Sequence, residues 1–378
     1  MRFKLFIIST LSLLLPVFKK YTFAFLVHPR DIKDIDSYIP LSRFIPYWFK
    51  EKISYYLWPV AVSEITGLKN KAGKDIVGCI IACPMTAGQL MNHRDRARSK
   101  IIKAAKLAKS LGVNMVGLGA LLSSLSRGGL DITEKVKSVG VTTGHGLTVY
   151  IVTQHVLKAV KVLDIDLSKC VIAVVGAAGS IGSGSIKILI KNNFKEVILF
   201  DVERKNDELM ELKIKLLSIN SKNNITSSNQ MNDLKRADII ITATNAPDTL
   251  VRSRHLKPGV VIIDDAQPTD IDEEIFKSRD DVLVLEGGVV NTPNIDCHYN
   301  LGLKQKGDIF SCLGEVLVLA YLGYQNNYNV GKLDQNKIEL IKETASKLNF
   351  LPGEFQNYYK LYSQEDIIKI KNIIKNEK

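Results

Sequence analysis

Residues 171–182, Val171-Ile-Ala-Val-Val-Gly-Ala-Ala-Gly-Ser-Ile-Gly182, predict a buried strand, a tight turn and the start of a helix. Five consecutive apolar residues are typical of a strand that is buried on both faces of a parallel sheet. Gly176 permits the sharp bend, Gly179 lets the backbone approach a pyrophosphate, and Gly182 allows the helix to pack closely on its strand. This pattern predicts a dinucleotide-binding turn.

The helix start that follows the turn adds phosphate-binding groups. Ser180 and Ile181 offer backbone N–H groups at the positive end of the helix dipole. The glycine spacing is G-x-x-G-x-x-G and not the stricter G-x-G-x-x-G. The alternative is that these glycines only pack a strand on a helix.

The next predicted strand, Glu196-Val-Ile-Leu-Phe-Asp201, ends in a carboxylate nineteen residues after Gly182. Dinucleotide-binding units hold the ribose hydroxyls with such a group. Asp201 favours NADH because a carboxylate repels the 2′-phosphate of NADPH. The nearby basic residues Arg204 and Lys205 leave NADPH as an alternative cofactor. Later strands end in small or polar residues, and a doubly wound sheet gathers ligands at these ends. They supply the remaining cofactor-binding candidates, Ala243, Thr244, Asn245, Gly287 and Gly288.

Length and composition favour a two-domain globular protein. The chain has 378 residues, of which 46% are hydrophobic and 24% charged, and these fractions exclude a disordered chain. Its net charge of +12 comes from dispersed lysine, and no zinc spacing, base-stacking motif or helix-turn-helix accompanies it, so we expect no nucleic-acid partner and no metal. Five cysteines without a framework indicate a reducing cytoplasm.

The N-terminus imitates a signal peptide. Arg2 and Lys4 flank an apolar run, Leu5 to Phe18, but no small-residue cleavage site follows it. The run is shorter than the roughly 20 residues that a spanning helix needs. We therefore expect a cytoplasmic protein whose N-terminal segment is either a packed extension or a membrane-surface contact.

Strand, glycine turn and helix also alternate in the first half, which predicts a second α/β domain. We expect an N-terminal extension (1–21), a substrate domain (22–164), a Rossmann-type doubly wound parallel sheet (165–310) and C-terminal helices (311–378) that return to a cleft between the domains. An amphipathic helix near residues 95–111 carries a basic stripe, which is either a solvated face or a docking surface for an acidic partner: Arg96, Lys100, Lys103 and Lys106.

Cys312 is the cysteine best placed for reactivity, because the dipole at the start of a helix stabilises a thiolate. The alternative is a core cysteine on an apolar helix face. His145, between two glycines of a cleft turn, is either a proton donor or a solvated loop residue. Thr143 of the same turn is a further catalytic candidate. His155 and His255 look like surface positions.

Residues from about 23 to 324 resemble the long-chain acyl-[acyl-carrier-protein] reductases of cyanobacterial type and related bacterial proteins described as predicted amino-acid dehydrogenases. The stretches that carry the resemblance, in order, are Phe23–Arg30, Arg98–Ala108, Gly117–Ala120, Thr142–Gly144, Gly176–Gly182, Ala237–Ile241, Val261–Asp264, Gly287–Gly288 and Phe310–Cys312. The apolar N-terminus and the C-terminal tail fall outside it.

The resemblance implies reduction of a fatty acyl thioester to an aldehyde through an acyl-cysteine, with Cys312 at the nucleophile position. It also implies an acyl carrier protein or coenzyme A as the acyl carrier. Asp201 stands where these mostly NADPH-dependent reductases lack a carboxylate, and His145 replaces a smaller polar residue. The alternatives are a dehydrogenase of shikimate or amino-acid type with direct hydride transfer, and a dinucleotide-binding protein without catalysis.

Overall fold

The computed structural model describes residues 2–14, 20–29, 36, 40–246 and 248–376. The first elements are α1 (Arg2–Leu14), β1 (Phe23–Val27), α2 (Tyr47–Tyr56), β2 (Val60–Lys69), β3 (Asp75–Ala82), α3 (Ala87–Asn92), α4 (Arg94–Ser110), β4 (Met115–Leu118), α5 (Leu121–Leu125), α6 (Leu130–Lys135), β5 (Gly140–Thr142) and α7 (His145–Leu163). The next are β6 (Val171–Val175), α8 (Ser180–Leu189), β7 (Glu196–Phe200), α9 (Asn206–Ile219), β8 (Ile225–Ser228), β9 (Ile239–Thr242), β10 (Val261–Asp264), α10 (Glu273–Ser278) and β11 (Leu283–Glu286). The last are β12 (Val289–Asn291), β13 (Asp308–Phe310), α11 (Ser311–Tyr321), α12 (Gln335–Lys347), β14 (Leu351–Pro352) and α13 (Gln364–Asn376).

The chain divides into two compact units, and their boundaries differ from those predicted. The N-terminal unit comprises Met1–Leu147 and Thr292–Phe350, and the nucleotide unit comprises Thr148–Asn291 and Leu351–Lys378. Residues 292–310 were expected in the nucleotide-binding domain but lie in the N-terminal unit. The C-terminal tail lies in the nucleotide unit, because apolar side chains such as Ile370 of α13 enter that unit's core.

The N-terminal unit is built on a five-stranded sheet with the order β2-β3-β1-β4-β5. Strand β1 pairs in parallel with β3 and β4, and β4 pairs in parallel with β5, whereas the edge strand β2 runs antiparallel to β3. Helix α4 covers this sheet with the apolar face predicted from its spacing, including Ile101 and Ala105, which are fully buried.

The nucleotide unit contains a six-stranded parallel sheet with the order β11-β10-β9-β6-β7-β8. Strand β6 therefore has β7 on one side and β9 on the other, which places the topological switch point of a doubly wound sheet beside the glycine turn. Alternate β6 residues enter two cores, with Ile172 and Val174 on one face and Ala173 and Val175 on the other. The predicted α/β fold class is confirmed.

The N-terminal run forms part of the N-terminal unit and is not a separate extension. Leu5 of α1 is buried in the core of that unit, and Ser9 Oγ accepts a 2.8 Å hydrogen bond from the backbone N–H of Ala61 in β2. Residues 15–19, which complete the apolar run, lie outside the described residues. None of the helices in the described ranges is both long and apolar enough to cross a bilayer.

Candidate functional site

The glycine positions around the turn between β6 and α8 leave little or no room for a side chain. Gly176 has a φ of +82°, and a Cβ there would lie 2.6 Å from the carbonyl oxygen of Ala243. A Cβ on Gly182 would lie 2.4 Å from the carbonyl oxygen of Gly176. Gly179 is the N-cap residue of α8 and offers no side chain to cap it. Ser180 and Ile181, the first two residues of α8, are partly exposed. This cradle fits a pyrophosphate, which binds backbone N–H groups at a helix N-terminus.

Asp201 follows β7 and its carboxylate is held by the turn itself. One oxygen accepts a 3.0 Å hydrogen bond from the Ala178 N–H, and the other accepts a 2.9 Å bond from the Val202 N–H. Lys205 Nζ lies 3.4 Å from the carboxylate, while Arg204 is exposed. A carboxylate has about four acceptor positions, so Asp201 keeps capacity for ribose hydroxyls.

The other cofactor-binding candidates lie at the same edge of this sheet. Ala243, Thr244 and Asn245 follow the carboxyl end of β9, and Gly287 and Gly288 follow that of β11. The Ala243 N–H donates to Val175 O over 3.0 Å and the Gly287 N–H donates to Asp264 O over 2.8 Å, which holds these ends in register. A nicotinamide nucleotide on a doubly wound sheet occupies this edge.

A buried acidic cluster at this edge was not anticipated from the sequence. Asp264 ends β10 and accepts hydrogen bonds from Thr242 (2.5 Å), Thr269 and Tyr358 (3.1 Å). Asp270 accepts a 2.6 Å bond from Thr244 Oγ1, and its second oxygen is buried without a partner among the described residues. Burial, followed by repulsion from Asp264, raises the pKa of Asp270 to about 7.

The raised pKa of Asp270 predicts a pH-dependent stability. Its contribution is present in full below the ordinary carboxyl pKa of 3.8 and is lost as the pH rises through about 7, because the folded state holds the proton more tightly. We expect Asp270→Asn, which mimics the protonated form, to remove this pH dependence, which amounts to at most about 4 kcal/mol over the whole range. Urea denaturation at pH 5 and pH 8 tests this, and an unchanged slope in the variant would contradict it.

Cys312 differs from the other four cysteines in accessibility. None of the five is joined in a disulfide, but only Cys312 is partly exposed. It is the second residue of α11. Burial raises the pKa of Cys79 well above the ordinary thiol value and raises those of Cys83 and Cys297 to about 12. Burial therefore disfavours the thiolate form of Cys79, Cys83 and Cys297, and Cys312 is the most accessible of the five thiols.

The turn that leads into α7 packs directly on Cys312. Gly144 has a φ of +80°, and a Cβ there would lie 2.3 Å from Cys312 Cα. Glu315, one helical turn after Cys312, holds this turn in place: its carboxylate accepts hydrogen bonds from Thr142 Oγ1 and, over 2.8 Å, from the Leu147 N–H. Glu315 was not singled out from the sequence. The signal that could have found it is a lone carboxylate within an otherwise apolar helix.

Thr143 lies in the predicted turn, whereas His145 already belongs to the helix that follows it. His145 is the first residue of α7, and its Nε2 lies 3.4 Å from Ser123 Oγ. Burial lowers the pKa of His145 to about 4, so the ring is neutral at neutral pH. Thr143 is buried and its hydroxyl donates to Asn329 O over 2.8 Å. This bond orients the Thr143 hydroxyl towards the backbone of Asn329.

Gly144→Ala tests the contact between the turn and Cys312. Gly73 is the matched control, because its φ of +77° is nearly the same but nothing lies within 4 Å of the position that an added methyl group would take. We expect Gly73→Ala to cost about 1 kcal/mol from backbone strain alone. Gly144→Ala should cost roughly 2 kcal/mol more, from overpacking, and should change the alkylation rate of Cys312 by iodoacetamide. Equal effects of the two variants on stability and alkylation would contradict the close packing.

The basic stripe on α4 is not a continuous docking surface. Lys100 is buried, and its Nζ donates to the carbonyl oxygens of Ser54 (3.1 Å) and Tyr55 (2.9 Å) at the end of α2. Burial lowers the Lys100 pKa to about 8. Arg96 donates to Tyr55 O over 3.1 Å. Two residues of the predicted stripe, Arg96 and Lys100, therefore bind backbone carbonyl oxygens. The other two, Lys103 and Lys106, are exposed.

Two histidines predicted at the surface are buried. His155 Nδ1 lies 3.0 Å from the carbonyl oxygen of Gly287, and His255 Nδ1 accepts a 3.1 Å hydrogen bond from the Arg252 N–H. Burial lowers the pKa of both rings, that of His155 to about 4. Within the described ranges, no group of three or more His, Cys, Asp or Glu side chains is arranged to hold a metal ion.

Comparison with known proteins adds independent information. The shikimate/quinate 5-dehydrogenase family profile matches residues 158–285. The long-chain acyl-[acyl-carrier-protein] reductase of Synechococcus elongatus is 27% identical over 309 residues, which cover 78% of this chain and 87% of that protein. The aminotransferase PigE of a Serratia species is 26% identical over 363 residues, 92% of this chain but only 42% of PigE.

Among solved structures, the NAD-dependent malic enzyme of Thermotoga maritima is 14% identical with a TM-score of 0.40, covering 94% of this chain and 84% of that one. The family match covers most of the described nucleotide unit and confirms the predicted cofactor class, NADPH or NADH, without choosing between the two. Together, the doubly wound sheet, the glycine cradle and the family match identify an NAD(P)-binding unit of Rossmann type.

Proposed function

We propose that this protein reduces a fatty acyl thioester to an aldehyde with NADH or NADPH, through an acyl group carried on Cys312. The observation that carries this proposal is the contrast among the cysteines: Cys312 alone is partly exposed, and it lies in the first turn of α11. The similarity to a long-chain acyl-[acyl-carrier-protein] reductase supports the substrate class.

The proposed reaction begins at the sulfur of Cys312. The helix dipole of α11 stabilises the thiolate, which attacks the thioester carbonyl carbon. A new carbon–sulfur bond forms, and the carbon–sulfur bond to the carrier breaks, so that the carrier leaves as a thiol after protonation. Gly144 lets the turn approach Cys312 closely, and Glu315 keeps that turn in place.

The second half-reaction releases the aldehyde. A nicotinamide cofactor, when bound, would supply a hydride. The acyl carbon on Cys312 accepts it and, with one proton, becomes a thiohemiacetal. Cleavage of its carbon–sulfur bond releases the aldehyde and returns the Cys312 thiol. His145 is neutral at neutral pH; in this scheme it acts as a hydrogen-bond partner and not as a permanent positive charge.

The second candidate is a dehydrogenase that transfers hydride directly, and the match to the shikimate/quinate 5-dehydrogenase family favours it. That match ends at residue 285 and therefore does not include Cys312. It bears on the nucleotide-binding residues and leaves the substrate open. A third candidate binds the dinucleotide without catalysis.

A substrate panel separates these candidates. Oxidation of NADH and NADPH is followed with long-chain acyl-coenzyme A and acyl carrier protein thioesters, and reduction of NAD⁺ and NADP⁺ with shikimate, quinate, malate and amino acids. We expect turnover only with the thioesters, with the aldehyde identified by mass spectrometry. Turnover only with the hydroxy or amino acids would favour direct transfer. Cofactor binding without any turnover would favour the non-catalytic alternative.

A further inference from the structure

Helix α2 has its polar side buried and its apolar side exposed. The buried residues of this helix are Lys50 and Ser54. Trp48 is 67% exposed and Tyr56 63% exposed, and Phe49 and Ile53 are exposed with them. A helix on the surface of a water-soluble domain ordinarily places these residue classes the other way round. The outward side of α2 is therefore suited to contact with an apolar environment.

Polar contacts fix α2 in this orientation. Lys50 Nζ lies 2.7 Å from the carboxylate of Asp36. At the other end of the helix, Lys100 and Arg96 donate to the backbone carbonyl oxygens of residues 54 and 55. Gln89 Nε2 donates to Glu51 O over 2.9 Å. Because the inner side is held by hydrogen bonds and an ion pair, the aromatic side chains must face outward.

Helix α1 also exposes apolar side chains, although the apolar Leu5 on its inner side is buried with the polar ones. It buries Ser9 and Ser12 while Phe6, Ile7 and Leu11 are exposed. The rings of Phe6 and Trp58 lie 6.2 Å apart, and Trp58 Nε1 donates to Thr10 Oγ1 over 3.3 Å. Trp58 comes two residues after the end of α2, so these contacts connect α1 to the segment that continues from α2. We define the aromatic face as the exposed side chains of this region: Phe6, Ile7, Leu11, Trp48, Phe49, Ile53, Tyr56 and Trp58.

The composition of the aromatic face indicates which partner it fits. Tryptophan and tyrosine favour the boundary between lipid headgroups and hydrocarbon, where the ring is buried and its polar atom stays hydrated. Exposed Arg43 and Lys52 accompany them, with Glu51 as the acidic neighbour. The chain carries a net charge of +12. A second copy has the same charge, which opposes self-association, whereas an anionic lipid surface attracts it.

We propose that the aromatic face docks this protein onto an anionic lipid bilayer, with α1 and α2 lying in the plane of the interface. Both helices are short, at 13 and 10 residues, and interfacial helices insert an apolar side without crossing the membrane. This proposal does not depend on the reaction at Cys312, so either can fail without the other.

The chain offers a direct optical test, because both of its tryptophans belong to the aromatic face. Vesicles of phosphatidylcholine mixed with phosphatidylglycerol are added to the full chain. We expect the emission to shift to the blue and to be quenched by lipids brominated on their acyl chains. With phosphatidylcholine alone, binding should be weaker. Unchanged emission with the mixed vesicles at low salt would overturn the proposal.

A matched pair of double variants tests the role of the aromatic side chains by vesicle flotation. Trp48→Ser with Tyr56→Ser should weaken binding to the mixed vesicles by at least about tenfold, because two interfacial side chains lose their burial. The control is Met210→Ser with Ile214→Ser on α9, where the exposures are also 63% and 67%. It should bind like the unmodified chain. Equal binding by both double variants would mean adsorption by net charge alone and would overturn the proposal. The proposal would also be overturned if the unmodified chain formed a concentration-dependent dimer that is lost in the Trp48→Ser, Tyr56→Ser variant and kept in the control.

Discussion

Cys312→Ala is expected to lower kcat for thioester reduction by at least about a thousandfold, because removal of a nucleophile eliminates the covalent route. The dissociation constants of NADH and NADPH should not change, since the cofactor-binding candidates belong to the nucleotide unit. The measurement is steady-state turnover with a long-chain acyl thioester, combined with cofactor titration by fluorescence.

Cys297→Ala is the control for this experiment. Cys297 also lies in the N-terminal unit, but it is buried and its pKa is raised to about 12. We expect this variant to retain kcat within about threefold, with a modest loss of stability from the small cavity. A Cys312→Ala enzyme with unchanged turnover would favour the direct-transfer candidate.

Gly182→Ala is expected to raise the dissociation constant of the nicotinamide cofactor by at least about a hundredfold, which corresponds to roughly 2.7 kcal/mol. The physical cause is backbone overlap. The added Cβ would lie 2.4 Å from Gly176 O and 3.0 Å from Gly176 C, so the turn must open or α8 must move away from β6. Either change displaces the N–H groups that cradle the phosphates.

Two further variants make this prediction specific to the turn. Gly88→Ala in α3 places its methyl group in open space, and we expect unchanged cofactor binding and a small gain in stability. Gly179→Ala meets Gly176 O at 3.1 Å and should have an intermediate effect. If Gly182→Ala is folded by circular dichroism and binds cofactor normally, the cradle is not the cofactor site.

The nucleotide unit was the part most accessible from the sequence. The run from Val171 to Gly182 carries its strand, turn and helix start in local residue order, and alternating strands and helices then determine a parallel sheet. The domain boundaries were less accessible because they depend on distant packing. Residues 292–350 join the N-terminal unit, although nothing in their local composition separates them from the nucleotide unit.

The site was predicted unevenly for a similar reason. Cys312 could be singled out by its place near a helix start, but burial of polar groups could not be read from spacing. Lys100 can be buried because its ammonium group donates hydrogen bonds to carbonyl oxygens at the end of α2. Thr143 can be buried because its hydroxyl donates a hydrogen bond to the carbonyl oxygen of Asn329. Each partner is distant in sequence, so the residue type alone suggested an exposed or catalytic role.

Intact-mass spectrometry tests the acyl-cysteine mechanism directly. The protein and Cys312→Ser are measured after incubation with a long-chain acyl thioester, with nicotinamide cofactor withheld. We expect an acyl adduct on the unmodified chain and none on the variant. Addition of NADH or NADPH should then discharge the adduct as aldehyde and identify the cofactor used. Absence of an adduct across several chain lengths, on protein that binds cofactor, would contradict the acyl-cysteine mechanism.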